Sequence, residues 1–121
     1  MALLAFSLLL MRNHLLAGRA CVLDHPLAAT SWTHPRVQRC LVEFPPTGFA
    51  DVDFCMFGMV TKVHRTPIKK ATRLMSSEPL VLKRFAGVLC DGTHDHAWCM
   101  GCEGGEKRSR YAQCDPDIVC A

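Results

Sequence analysis

The chain has 121 residues, half of them apolar and 21% charged, which is enough for one packed core but not two, and excludes wholesale disorder. Net charge is only +3, so any basicity is local: seven of the fourteen Lys and Arg lie between Lys62 and Arg84, opposed in that window by Glu78 alone. Eight cysteines, an even number, permit complete pairing in a small secreted scaffold, yet count alone does not decide between disulfides, metal and free thiols.

Residues 2 to 11 form an apolar run too short to span a bilayer, which takes about 20 residues, so no transmembrane segment is expected. The run suits a signal-peptide core, and Ala20 preceded by Gly18 offers a cleavage site. No Lys or Arg precedes it, however, and apolar character resumes at Leu15, Leu16 and Ala17 in helical register. A buried helix ended by Gly18 explains the pattern equally well.

Ala20-Cys21-Val22-Leu23 reads as a strand buried on both faces, closed by Asp24-His25-Pro26. Thr33 before Pro35 marks an N-cap region, and Val37, Cys40, Leu41 and Phe44 recur at helical spacing up to the Pro45-Pro46-Thr47-Gly48 break. Val52, Phe54 and Met56 alternate with Asp51, Asp53 and Cys55, a half-buried strand that Gly58 interrupts. Lys62 to Thr66 is an exposed turn and Pro67 to Met75 an extended segment returning to the sheet. Ser77-Glu78-Pro79 starts a third helix, with Leu80, Val81, Leu82, Phe85 and Ala86 as its apolar face and Gly87 as its stop. The expected fold is α/β: a small, incomplete sheet with short helices over residues 1–113, ending in a Cys/His-rich loop and followed by a tail, 114–121.

That loop carries the sharpest chemistry. From Cys90 to Cys102 three Cys and two His fall within thirteen residues, interleaved with the Gly that a tight ligand loop needs, and thiolate and imidazole are the ligands zinc prefers. Cys99-x2-Cys102 can chelate one ion while His94 and His96 point to the same side of an extended segment, and the outlying Cys55 is expected to fold back onto the loop. A polar surface loop in a Cys-rich chain is the competing reading. Cys21, Cys40 and Cys55 sit in apolar segments, where a free thiol behaves as a small hydrophobe. In the basic window, Lys62, Arg65, Lys69, Lys70 and Arg73 are candidates for phosphate contact, weighed against a solvated charged face. Aromatic interleaving is poor, which argues against stacking on single strands.

No catalytic constellation emerges. Asp24 with His25, or Cys90 with His94, can be drawn as dyads, but nothing fixes a base and an orienting third group, so both read as chance pairings and the chain is not read as an enzyme. No small-molecule substrate is indicated.

Taken in order, Asp24-His25-Pro26 with Ala29, Ser31-Trp32 and Pro35, then Asp53-x-Cys55-Met56-Phe57-Gly58, then Pro67 to Arg73, then Cys90-Asp91-Gly92-Thr93-His94-Asp95-His96 resemble a segment of retroelement-type polyproteins and related uncharacterised proteins, over about residues 8 to 113. The resemblance implies Cys55, Cys90, His94 and His96 as a zinc-ligand set, with Cys99 and Cys102 as a competing pair. A more distant likeness is to the second half of cytosine-5 methyltransferases, where a strand ending in an acidic-Asn dipeptide precedes a helix, a strand, a glycine and a basic Gln-x-Arg-x-Arg stretch. Asp24-His25-Pro26 resembles the first of these and Lys69 to Arg73 the last. There is no Pro-Cys nucleophile motif and no glycine-rich cofactor loop, and His25 stands in place of Asn. This likeness implies half of a Rossmann-like domain without the part that binds S-adenosylmethionine.

Two functions follow as expectations. One is a nonenzymatic, metal-stabilised intracellular fragment, cytoplasmic or nuclear, that contacts nucleic acid and can self-associate through an exposed sheet edge. The other is a small secreted, disulfide-linked protein with residues 1–20 removed.

Overall fold

The structure, a computed structural model, describes residues 2–97 together with the backbone of 102–103 and 106–107. The described residues pack as two compact units, one within Met1–Asp51 and Arg73–Gly87, the other within Val52–Thr72 and Val88–Ala121. Its elements are α1 (Ala2–Leu16), β1 (Val22–Pro26), α2 (Pro35–Glu43), β2 (Gly48–Asp53), β3 (Ala71–Ser76), α3 (Pro79–Phe85) and the short strands β4 (Cys102–Glu103) and β5 (Glu106–Lys107). This is the mixed α/β class with a small sheet and short helices. The three-stranded sheet has the order β1-β3-β2 and is antiparallel, whereas Rossmann-like sheets are parallel. β4 and β5 form a separate antiparallel pair, with Cys102 opposite Lys107 and Glu103 opposite Glu106.

In the first unit, α1 ends where Gly18 takes a left-handed φ of 72°. Gly18 N–H donates to Leu15 O at 3.0 Å and Arg19 N–H to His14 O at 2.9 Å, the paired closing bonds of a Schellman cap. Leu8 and Met11 of α1 pack with Trp32, Val37, Cys40 and Met75, so the apolar N-terminal run supplies part of this unit's core. Trp32 is fixed from three sides: its Nε1–H donates to Pro26 O at 2.9 Å, Phe49 meets it edge-on at 5.3 Å, and its carbonyl accepts from Gln38 Nε2 at 2.8 Å.

Several expectations are corrected here. The strand expected at Ala20–Leu23 lies at Val22–Pro26, on the edge of the sheet and mostly exposed. An edge position tolerates Asp24, His25 and Pro26, because only one side of the strand must pair. α2 is capped not by Thr33 but by His34, which is extended ahead of Pro35 and accepts Arg36 N–H on Nδ1 at 3.2 Å. The Thr33 hydroxyl donates instead to Thr30 O at 2.8 Å. α3 starts in the expected stretch, but its cap is Glu78, which accepts Leu80 N–H at 3.2 Å, and not Ser77, so Glu78 is no first-turn acid and Pro79 takes the first position. None of its residues is fully buried, and Leu80 faces outward.

In the second unit the alternation of β2 stops at Asp53. Phe54–Phe57 form a 3₁₀ turn closed by Gly58 at φ 83°, ψ 17°. Because the period changes from two to three, Asp53, Phe54, Cys55 and Phe57 are all buried and Met56 is exposed. The chain then runs out and back around the exposed turn Lys62–Arg65. Thr61 N–H donates to Thr66 O at 2.9 Å and Ile68 N–H to Met59 O at 2.9 Å.

Candidate metal centre

The Phe54–Phe57 turn sets Cys55 into the unit's interior, and two contacts bring the Cys90 segment to it. Asp53 N–H donates to Val88 O at 3.0 Å, and Cys90 N–H donates to Asp53 Oδ2 at 2.8 Å. Gly92, at φ 73°, turns the chain back. Ala97 N–H then donates to Pro67 O at 2.9 Å, beside a parallel bridge between Ile68 and Ala97, and holds the returning segment in place.

Within this frame the ligand atoms of Cys55, Cys90, His94 and His96 all lie within 4.8 Å of one another. Cys90 Sγ is 3.5 Å from His94 Nε2 and 3.3 Å from His96 Nε2. Tetrahedral zinc, with bonds of about 2.3 Å to sulfur and 2.0–2.1 Å to nitrogen, spaces neighbouring sulfur and nitrogen ligands roughly 3.6 Å apart. The separations observed therefore fit one ion. The two rings stand edge-to-face with centroids 4.7 Å apart, so both Nε2 atoms converge without the rings clashing. Cys55 is buried and the other three are half-buried, so four side chains of the chain itself enclose the point of convergence.

The surroundings suit thiolate ligands. Gly92 N–H donates to Cys90 Sγ at 3.4 Å. Burial, and then the adjacent Cys90 thiol, push the Cys55 thiol up to about 11, with Asp53 adding to the effect and Lys69 opposing it. A cation that takes both sulfurs removes that resistance to ionisation. His94 Nδ1 faces the Asp91 carboxylate at 3.9 Å, too long for a direct hydrogen bond. Asp91 is itself held by the Thr93 hydroxyl at 2.7 Å and the Thr93 N–H at 3.0 Å, and these bonds keep its carboxyl below the ordinary value. The Cys90 and His94 pair that reads as chance in the sequence is thus a true contact, shared with His96 and Cys55.

The other candidate residues are distributed as follows. Cys99 and the side chain of Cys102 lie outside the described residues. Cys21, Cys40, Cys55 and Cys90 are free thiols, and burial raises those of Cys21 and Cys40, which suits packing more than reactivity. Among the basic residues, Lys62, Arg65 and Lys69 are exposed in the second unit, and Lys70 Nζ lies 5.2 Å from the centre of the Phe54 ring. Arg73 belongs to the first unit, where it pairs with Asp51 through Nε at 2.7 Å and Nη2 at 3.0 Å and lies over Phe49. Asp53 supports the site although the sequence does not single it out for this role; its signal there is its place two residues before Cys55. No helix among the described residues is long and apolar enough to cross a membrane. Comparison with protein-family models, with curated proteins and with solved structures finds no match.

Proposed function

We propose that the chain is a nonenzymatic, zinc-stabilised α/β segment of a mobile-element-type polyprotein that works inside the cell, in cytoplasm or nucleus, and contacts nucleic acid through basic side chains. The observation that carries this reading is the convergence of Cys55, Cys90, His94 and His96 on one point. Two thiolates and two imidazoles select zinc over the hard cations, and four protein ligands leave no open position for a reacting water, so the ion's role is structural. The mobile-element part rests on the ordered sequence resemblance. The nucleic-acid part rests on Lys62, Arg65 and Lys69, exposed in the same unit as the metal cluster.

Zinc content and thermal stability of the unmodified chain, Cys90→Ser and Cys102→Ser test the metal role. One zinc per chain in the unmodified protein and in Cys102→Ser, with loss in Cys90→Ser, is expected. Equal content in all three overturns it, and loss only in Cys102→Ser moves the site to the Cys99-x2-Cys102 pair.

A further inference from the structure

α1 is apolar on two sides. One side, with Leu8 and Met11, belongs to the core. On the other, Leu3, Phe6, Leu9 and Leu10 are 78, 57, 55 and 45% exposed. At 3.6 residues per turn these four fall within an arc of about 120°. A helix that is apolar all round is normally covered all round, so this outer face calls for a partner.

Charge indicates which. A groove of about 280 Å³ runs along one flank of the face, with Ala5 and Leu9 on its α1 side and Arg36 and Arg39 on α2. Arg12 and Glu43 complete it. Arg12 donates from Nε and Nη2 to Glu43 Oε1 at 3.1 and 2.7 Å, so the groove's one carboxylate is engaged and three guanidiniums share it. An apolar strip bordered by surplus guanidinium matches the boundary between acyl chains and anionic headgroups. The opposite flank, beside Leu3 and Leu4, carries the exposed carboxylate of Asp24, so around the face guanidinium outnumbers carboxylate by three to two. At 15 residues, about 22 Å long, α1 cannot cross a hydrocarbon core of about 30 Å and can only lie in the interface.

We infer that the outer face of α1 docks on an anionic phospholipid surface, with Leu3, Phe6, Leu9 and Leu10 at the acyl boundary and Arg36 and Arg39 on lipid phosphates. This site lies wholly in the first unit and does not depend on the metal.

The test is sedimentation of the zinc-loaded full chain with vesicles of phosphatidylcholine alone and of phosphatidylcholine mixed with phosphatidylserine, alongside the mass of the lipid-free protein by sedimentation velocity. Binding to the mixed vesicles and much less to phosphatidylcholine is expected on the unmodified chain. Arg36→Gln with Arg39→Gln should weaken that binding roughly thirtyfold, and Phe6→Asp with Leu10→Asp should abolish it while the circular-dichroism melt is retained. No binding to the mixed vesicles overturns the inference, as does equal binding to both kinds. A lipid-free dimer that Phe6→Asp dissociates, with no vesicle binding, assigns the face to a second copy instead.

Discussion

Asp53 carries its carboxylate into a buried position because one oxygen has a specific task, accepting Cys90 N–H at 2.8 Å. Asp53→Ala leaves that amide without its partner at a proposed metal ligand, Cys90. The expected cost is about 1–3 kcal/mol in stability and roughly tenfold to hundredfold in metal affinity, read by urea unfolding and by competition with a chromogenic chelator. Asp53→Asn keeps an acceptor and should do less harm. Asp51 has a different role: the Arg73 hydrogen bonds hold its carboxyl below the ordinary value, against a smaller upward push from desolvation. A depressed carboxylate stabilises the fold above its unfolded value and loses that contribution as pH falls through its folded one. Urea midpoints should therefore decline below about pH 4, and Asp51→Asn should flatten that decline. At this scale the sequence is readable where its period is uniform. His94 and His96 are two residues apart, a spacing that reads as a common side, and both Nε2 atoms do reach Cys90 Sγ. Asp53 looks like the outward member of an alternating strand only because the 3₁₀ turn that reverses the pattern begins at the next residue, Phe54.

Among the elements, α1 has the clearest energetic role. Met11 is 1% exposed and contacts the Trp32 cluster. Met11→Ala should cost about 2–5 kcal/mol by urea unfolding, whereas Asn13→Ala on the exposed side should be near neutral. A near-neutral Met11→Ala would mean that α1 does not pack as described. Helix ends are legible in the sequence because their chemistry is local: Gly18 supplies a positive φ, and Glu78 with Pro79 starts α3. β1 is less legible because strand burial is decided by neighbours far along the chain. An apolar tetrapeptide at 20–23 suggests a central strand, but β3 takes the middle of the sheet and leaves β1 on its rim.

At the scale of the whole molecule, each unit has its own source of stability. The first has a hydrophobic cluster around Trp32. The second buries Phe54, Phe57, Met59 and Ile68, and the proposed metal adds to it only when its ligands are deprotonated. Zinc binding should release protons, and acid should release zinc. The metal-free chain should behave in the opposite sense at alkaline pH. With Cys55 raised to about 11, its protonated form is favoured in the fold, so stability present below the ordinary thiol value is lost as pH rises towards 11. If the basic residues contact phosphates, nucleic-acid affinity should fall with salt. Lys62→Ala with Lys69→Ala should then reduce the log–log slope by roughly 0.9 per lost contact. The metal cluster is legible in outline because His and Cys crowd one loop. Its completion by Cys55 depends on a chain path that spacing alone does not encode.

X-ray absorption at the zinc edge of the Cys99→Ser, Cys102→Ser double variant isolates the proposed ligand set from its competitor. One zinc per chain with two sulfurs at about 2.3 Å and two nitrogens at about 2.0–2.1 Å is the expected result. Absence of bound zinc, or a shell dominated by oxygen, would contradict a centre built from Cys55, Cys90, His94 and His96.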